Sequence, residues 1–339
     1  MWLLAALLTG WVVPAGAGQF DSSRVYSEKE LLEGAVKEGQ LLWYAIPLPF
    51  NDVVVEEFKK KYPGVMIEVF KAGGTQIIQR FQLEQEKNVA GPDSVSSGLT
   101  EAFPDLRRKG YLASLEKLPN WKKRPAWSRD SNASYFYYAN FKVGLVYNTK
   151  EVKDSEAPKS YAELIDPKWS EKIALFDTTA GFAVPLFRFL IEKVGLGWEW
   201  VGKLKANKPL LLLNAAQIDE TVISGRRAMA IVRDTEVLGA KKKGAPVEFR
   251  IAKEGFMLHM MPVAVNARAA HPFAARLFVN WLLSNEAQKR LAQEGYGVAL
   301  TMGENALQAA GGWHQDPEKI DPEDTKRFIE KLNGALHSP

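Results

Sequence analysis

Residues 138–147 read YANFKVGLVY and residues 255–266 read GFMLHMMPVAVN. Both stretches are extended, apolar and too long for the short strands found elsewhere in the chain. The rest alternates strand, turn and amphipathic helix with short connections. Ser27-Glu28-Lys29-Glu30 has the spacing of a capping box, and the helix behind it carries Leu31, Leu32, Ala35 and Val36 before stopping at Gly39. Strands at 41–45, 65–70 and 93–97 are interleaved with helices carrying Val54, Val55, Phe58 and Tyr62, then Ile77, Ile78 and Phe81. The same grammar returns with strands at 172–176, 210–213, 229–232 and 247–251. Alternating strands and helices imply a mainly parallel sheet covered on both faces. The two long segments then read as strands crossing between two lobes, out and back. A strong helix is expected over 271–295, from Phe273, Leu277, Phe278, Trp281 and Leu282, and a polar, peripheral one over 322–332. The expected division is lobe 1 at 24–142 and 264–310, lobe 2 at 143–263, and a C-terminal helix and tail at 311–339.

In parallel sheets a ligand sits beyond the carboxyl ends of the strands, where the following helices offer free N–H groups. In the first lobe these ends are Tyr44-Ala45-Ile46, Gly73-Gly74-Thr75 and Ser96-Ser97-Gly98. In the second they are Thr178-Thr179-Ala180-Gly181, Asn214-Ala215-Ala216-Gln217 and Arg233-Asp234-Thr235-Glu236. Glycine admits a ligand to the backbone, while Ser, Thr, Asn and Gln exchange hydrogen bonds with it. Any one of these residues also serves as a helix cap or turn former. Convergence of six such turns on one face favours the binding reading. Arg233, a fixed cation just after an apolar strand, suits a carboxylate, phosphate or sulfonate. Its alternative is a salt bridge to Asp234, Glu236 or another acid, and those two carboxylates could instead meet a metal or an amine.

The composition, 46% hydrophobic and 25% charged, is that of a globular chain, and 339 residues are enough for two lobes. A net charge of +4 carries no dense basic patch of the kind nucleic acid requires. Lys59-Lys60-Lys61 and Lys241-Lys242-Lys243 each close an amphipathic stretch, where cations complement the negative helix end. Residues 1–17 have the short apolar run and Ala15-Gly16-Ala17 site of a signal peptide, although no Lys or Arg precedes the run. There is no cysteine, which rules out disulfides, thiolate metal sites and a lipidated cysteine. Export to a bacterial periplasm as a free protein is the expectation. Among enzyme signatures, G-x-S-x-G, H-E-x-x-H and the P-loop are absent. Gly195-Leu196-Gly197 lacks a third glycine, and Ser114-Leu115-Glu116-Lys117 lacks the partner motifs of S-x-x-K enzymes. The histidines His259, His271, His314 and His337 show no ligand spacing. The chain is therefore read as a non-enzyme with no cofactor and no resident metal.

Several segments resemble the extracellular solute-binding proteins of bacterial ABC importers, in particular the ferric-iron type. They are 161–169 (YAELIDPKW) followed by 171–175 (EKIAL), 143–148 (VGLVYN), 269–276 (AAHPFAAR) with 284–288 (SNEAQ), and 72–75 (AGGT). They run in the family's order from about residue 40 to 300. The resemblance implies a two-lobed type II periplasmic binding fold, each lobe a mainly parallel sheet flanked by helices and joined by two crossover strands. It also implies a clamp, working as a monomer, that closes on a small solute and docks on an inner-membrane permease and its ATPase. Ferric members bind iron through adjacent tyrosines after a lobe-two strand. Here Arg233-Asp234-Thr235-Glu236 stands in that place, and Tyr137-Tyr138 precedes the crossover. The expected cargo is an anionic solute, with ferric iron as the alternative and an exported enzyme without a recognisable motif as the alternative of a different class.

Overall fold

Helix α1 (Glu28–Glu38) opens on the capping box: Ser27 Oγ accepts from the Glu30 N–H at 3.2 Å, and the Glu30 carboxylate accepts from the Ser27 N–H at 2.8 Å. Gly39 closes it at φ 74°, the left-handed conformation that glycine adopts without a Cβ penalty. The structure, a computed structural model, describes residues 20–180, 182–293, 297 and 311–337. The expected signal peptide at 1–17, Gly181, and most of 294–310 lie outside the described residues.

Strand β1 (Gln40–Ala45), α2 (Pro49–Lys61), β2 (Met66–Lys71), α3 (Gly74–Glu86), β3 (Ser94–Ser96) and α4 (Ala102–Arg108) follow in the predicted alternation. β1 lies between β2 and β3, parallel to both. After the long β4 (Phe136–Asn148) the second half brings β5 (Ile173–Phe176) and α5 (Ala183–Arg188), which runs into a π turn at Phe189–Lys193. Next come α6 (Gly197–Ala206), β6 (Leu210–Leu212), α7 (Ala215–Ile223), β7 (Met229–Arg233), α8 (Asp234–Lys242) and β8 (Val247–Arg250). β5 is parallel to both β6 and β7. The chain returns through β9 (Phe256–Val265), α9 (Pro272–Leu282) and α10 (Asn285–Gln293), and ends with β10 (Gly312–Trp313) and α11 (Pro322–His337).

Among the described residues all strands join one sheet in the order β2-β1-β3-β9-β4-β7-β5-β6, with β10 beside β9 and β8 beside β4. The two long segments of the sequence are β4 and β9. They pair antiparallel with each other, Phe141 opposite His259, and so form the middle of the sheet between two parallel sets. The core falls into clusters on this plan. Trp43, Phe58, Phe278 and Trp281 pack on one face of the first half, Ile77, Phe81, Phe103 and Tyr135 on the other, and Leu175, Phe187, Trp200 and Ile231 centre the second half. Strand alternation sorts β1 between the first two: Trp43 and Ala45 face one cluster and Tyr44 the other.

Two expected helices differ. The single helix over 271–295 is α9 and α10, because Ser284 interrupts it: its Oγ accepts from the Ala287 N–H at 3.2 Å and starts a new helix. The last helix is not peripheral. Phe328, Leu332 and Leu336, four residues apart, form a buried stripe within the second-half cluster, and Arg188 pairs with Asp324 at its start.

Candidate functional site

A cavity of about 760 Å³ opens between the two halves of the sheet. Each of the six strand-end turns contributes to its lining: Ile46; Gly73, Gly74 and Thr75; Gly98; Thr179 and Ala180; Asn214, Ala215 and Ala216; and Arg233. Helices α3, α7 and α8 start at this wall, so their positive N-terminal ends converge there.

The first-half wall depends on close backbone packing. A Cβ on Gly74 would lie 2.8 Å from Ser97 Oγ, and a Cβ on Gly98 would lie 2.4 Å from His259 Nε2. Ser97 donates to the Gly74 carbonyl at 3.2 Å and accepts from the Leu99 N–H at 3.1 Å, which ties the two glycine turns together behind the cavity. The second-half turns are closed on themselves. Asp177 Oδ1 accepts from both the N–H and the hydroxyl of Thr179, at 2.9 and 2.6 Å. Asn214 caps α7 by accepting from the Gln217 N–H at 3.0 Å, while Gln217 Oε1 accepts from the Leu213 N–H at 3.1 Å.

Gly74, Thr75, Thr179, Asn214 and Arg233 therefore line the cavity, and several other candidates do not. Tyr44 points into the core cluster beside α3 and donates its hydroxyl to Glu84 at 3.0 Å; burial, with that carboxylate beside it, pushes its pKa up to about 12. Ala45 is fully buried on the opposite face. Ser96 is occupied by the Trp43 indole N–H at 2.8 Å and the Tyr44 carbonyl at 3.3 Å. Ser97 sits behind the wall and Gln217 outside it. Thr178 is turned towards α11, where its hydroxyl meets Asn333 and lies 3.3 Å from His337 Nε2. Asp234 does not line the cavity; burial raises its pKa to about 6 against an opposing hydrogen bond from Thr235. Gly181 and the side chain of Glu236 lie outside what is described.

Arg233 ends β7 at 8% exposure, with its guanidinium 5.2 Å from the centre of the Phe141 ring. Across β4 from it stands His259, which the spacing of the histidines did not single out. The available signal was its place as the lone ionisable residue in the apolar run 256–265. Its Nε2 lies 3.1 Å from the Gly98 carbonyl, so that nitrogen carries the proton and Nδ1 is an acceptor. Burial, then the charge of Arg233, hold its pKa down at about 3, and the ring is neutral at physiological pH. Phe182 packs on it with centroids 4.3 Å apart and meets Phe176 edge-on at 5.1 Å. Among the described lining residues there is no tyrosine and no carboxylate. Tyr138 of the adjacent tyrosine pair is buried and donates to Asn51 at 3.1 Å. No group of His, Asp or Glu among the described residues is arranged to hold a metal ion, and no described helix is long and apolar enough to cross a membrane.

Strand-helix halves flanking a cavity at the strand ends, with two long strands between them, define an α/β ligand-binding protein of the type II periplasmic class. The family model for bacterial extracellular solute-binding proteins matches residues 54–320, and the chain belongs to that family. A spermidine/putrescine-binding periplasmic protein of Haemophilus influenzae is 26% identical over 205 residues, 55% of this chain and 55% of that protein. The chain thus spans about half the length of that relative. The substrate-binding protein of an ABC transporter from Agrobacterium tumefaciens has a similar fold, with a TM-score of 0.81 at 20% identity over 88% of this chain and 94% of that one. Iron-bound HitA from Pseudomonas aeruginosa gives 0.72 at 19% identity, over 86% and 99%.

Proposed function

We propose that the chain captures a small organic anion in this cavity outside the cytoplasmic membrane and delivers it, as a monomer, to the permease and ATPase of an ABC importer. Residues 24–142 with 264–310 form one lobe of the clamp and 143–263 the other, hinged on β4 and β9. The separate core clusters support a crossing at 142/143, whereas on the return strand Met257 packs with the second half and Leu258, Met260, Met261 and Val263 with the first; α11 moves with the second lobe, in whose cluster it is buried. An N-terminal signal peptide at 1–17 exports the chain.

The observation that carries the reading is the position of Arg233, whose guanidinium stands on the cavity wall where an anion can meet it. Three helix N-termini add to the same sign of potential. A polyamine, the ligand in the name of the Haemophilus relative, would need carboxylates on that wall. Ferric iron would need anionic oxygens, and the wall offers neither tyrosine nor carboxylate among its described residues.

A thermal-shift screen of carboxylates, phosphonates and sugar phosphates tests this, since a ligand that binds only the folded state raises the melting temperature. An anion should give the shift and spermidine and ferric citrate should not. Arg233→Gln should abolish it. A shift with spermidine, or an anion response untouched by Arg233→Gln, overturns the reading.

A further inference from the structure

We infer that the solute carries a bulky apolar body, aromatic or branched aliphatic, behind its anionic group; the anionic end of this inference rests on the function proposed above. The cavity is far larger than an inorganic anion fills, and its two sides are mainly hydrocarbon. Ile46, Leu48 and Leu99 stand on the first-half side and Phe176, Phe182 and Leu213 on the other. Leu213 is 62% exposed and adds its side chain to the apolar part of that lining. The polar groups of the wall are few and partly spent. Thr179 donates its hydroxyl to Asp177, Asn214 Oδ1 caps α7, and His259 Nε2 faces the Gly98 carbonyl. A solute rich in hydroxyls would leave water for a largely hydrocarbon lining that replaces only some of its hydrogen bonds, and each unpaired group costs affinity. An apolar body gains by the same transfer. Size, wall chemistry and the single lining arginine together select an amphiphilic organic acid over a sugar phosphate or hydroxy acid.

Calorimetric titration of the full chain with three probes of similar length separates body from charge: 3-phenylpropionate, gluconate and 3-phenylpropylamine. The expected order places 3-phenylpropionate at least tenfold tighter than either of the others. Leu213→Ser should weaken its binding about tenfold, the value of one apolar side chain's contact area, while leaving gluconate unchanged. Because Leu213 is largely exposed, that variant keeps its fold, which circular dichroism checks. Gluconate binding more tightly than 3-phenylpropionate overturns this inference and leaves the anion reading standing. A preference for 3-phenylpropylamine overturns the anion reading, and with it the acid named here. Absence of millimolar binding by 3-phenylpropionate, or its indifference to Leu213→Ser, also overturns the inference.

Discussion

Gly98→Ala is the substitution that most directly tests how the cavity wall is built. The added methyl would sit 2.4 Å from His259 Nε2 and 2.7 Å from its Cε1. Ordinary contact needs about 3.5 Å, so the ring must retreat by roughly 1 Å. It has little room to do so: Phe182 lies 4.3 Å away by centroids, Phe141 is 6.2 Å away, and Nε2 is held at the Gly98 carbonyl. Overpacking of this kind costs about 1–3 kcal/mol. Urea unfolding of the variant should show a lower midpoint with an unchanged slope. The same displacement moves Phe182, so affinity for any cleft ligand should fall as well. His259→Ala removes the clashing ring, and the double variant should recover most of the loss caused by Gly98→Ala measured in that background. A Gly98→Ala protein as stable as the parent, or additive effects in the double-mutant cycle, would refute the packing described for this wall.

Leu332→Ala, at a fully buried position of α11, should destabilise the protein by about 2–5 kcal/mol in the same assay; a surface-like loss of a few tenths would show that this helix is peripheral after all. Burial pushes the pKa of Glu101 from 4.5 up to about 7, opposed by hydrogen bonds from its own N–H and from Thr100. The folded state therefore holds that proton more tightly than the unfolded chain does. Stability from this group is full below about pH 4.5 and is lost as pH rises to about 7, at most on the order of 3 kcal/mol. Glu101→Gln should raise the melting temperature relative to the parent progressively across that window and by a constant amount above it. A difference that does not vary between pH 4.5 and 7 would contradict the burial of that carboxyl.

The location of the cavity was legible in the sequence because strand ends and helix starts can be read from period and punctuation. Which residue of each turn faces the cavity was not, because that depends on strand parity. Trp43, Tyr44 and Ala45 alternate across β1, so Tyr44 and Ala45 of that strand end are consumed by the two core clusters and the lining falls to Ile46. Thr178 and Thr179, in the turn after β5, are neighbours with opposite fates: one hydroxyl meets α11 and the other turns to Asp177 at the cavity rim. The role of α11 was hidden by its many charges, although Phe328, Leu332 and Leu336 already carried a stripe at helical spacing. His259 carries no signal of paired ligand spacing in the sequence. A single imidazole facing a carbonyl needs no second histidine.

The two sides of the cavity are held together by different contacts. On the first side the wall is interlocked: Gly74, Ser97 and Gly98 fit one another and His259 at contact distances that admit no Cβ. On the second side each turn is held by its own residues, Thr179 by Asp177 and Asn214 by Gln217, with no bond from one turn to the next among these. The two sides meet where Phe182 of the second packs on His259 of the first, with centroids 4.3 Å apart. The central strands carry the connection, through the pairing of Phe141 with His259 and the guanidinium of Arg233 over Phe141. The closure proposed above would concentrate its backbone changes in β4 and β9, with His259 on β9 and Arg233 beside β4 where solute and hinge meet.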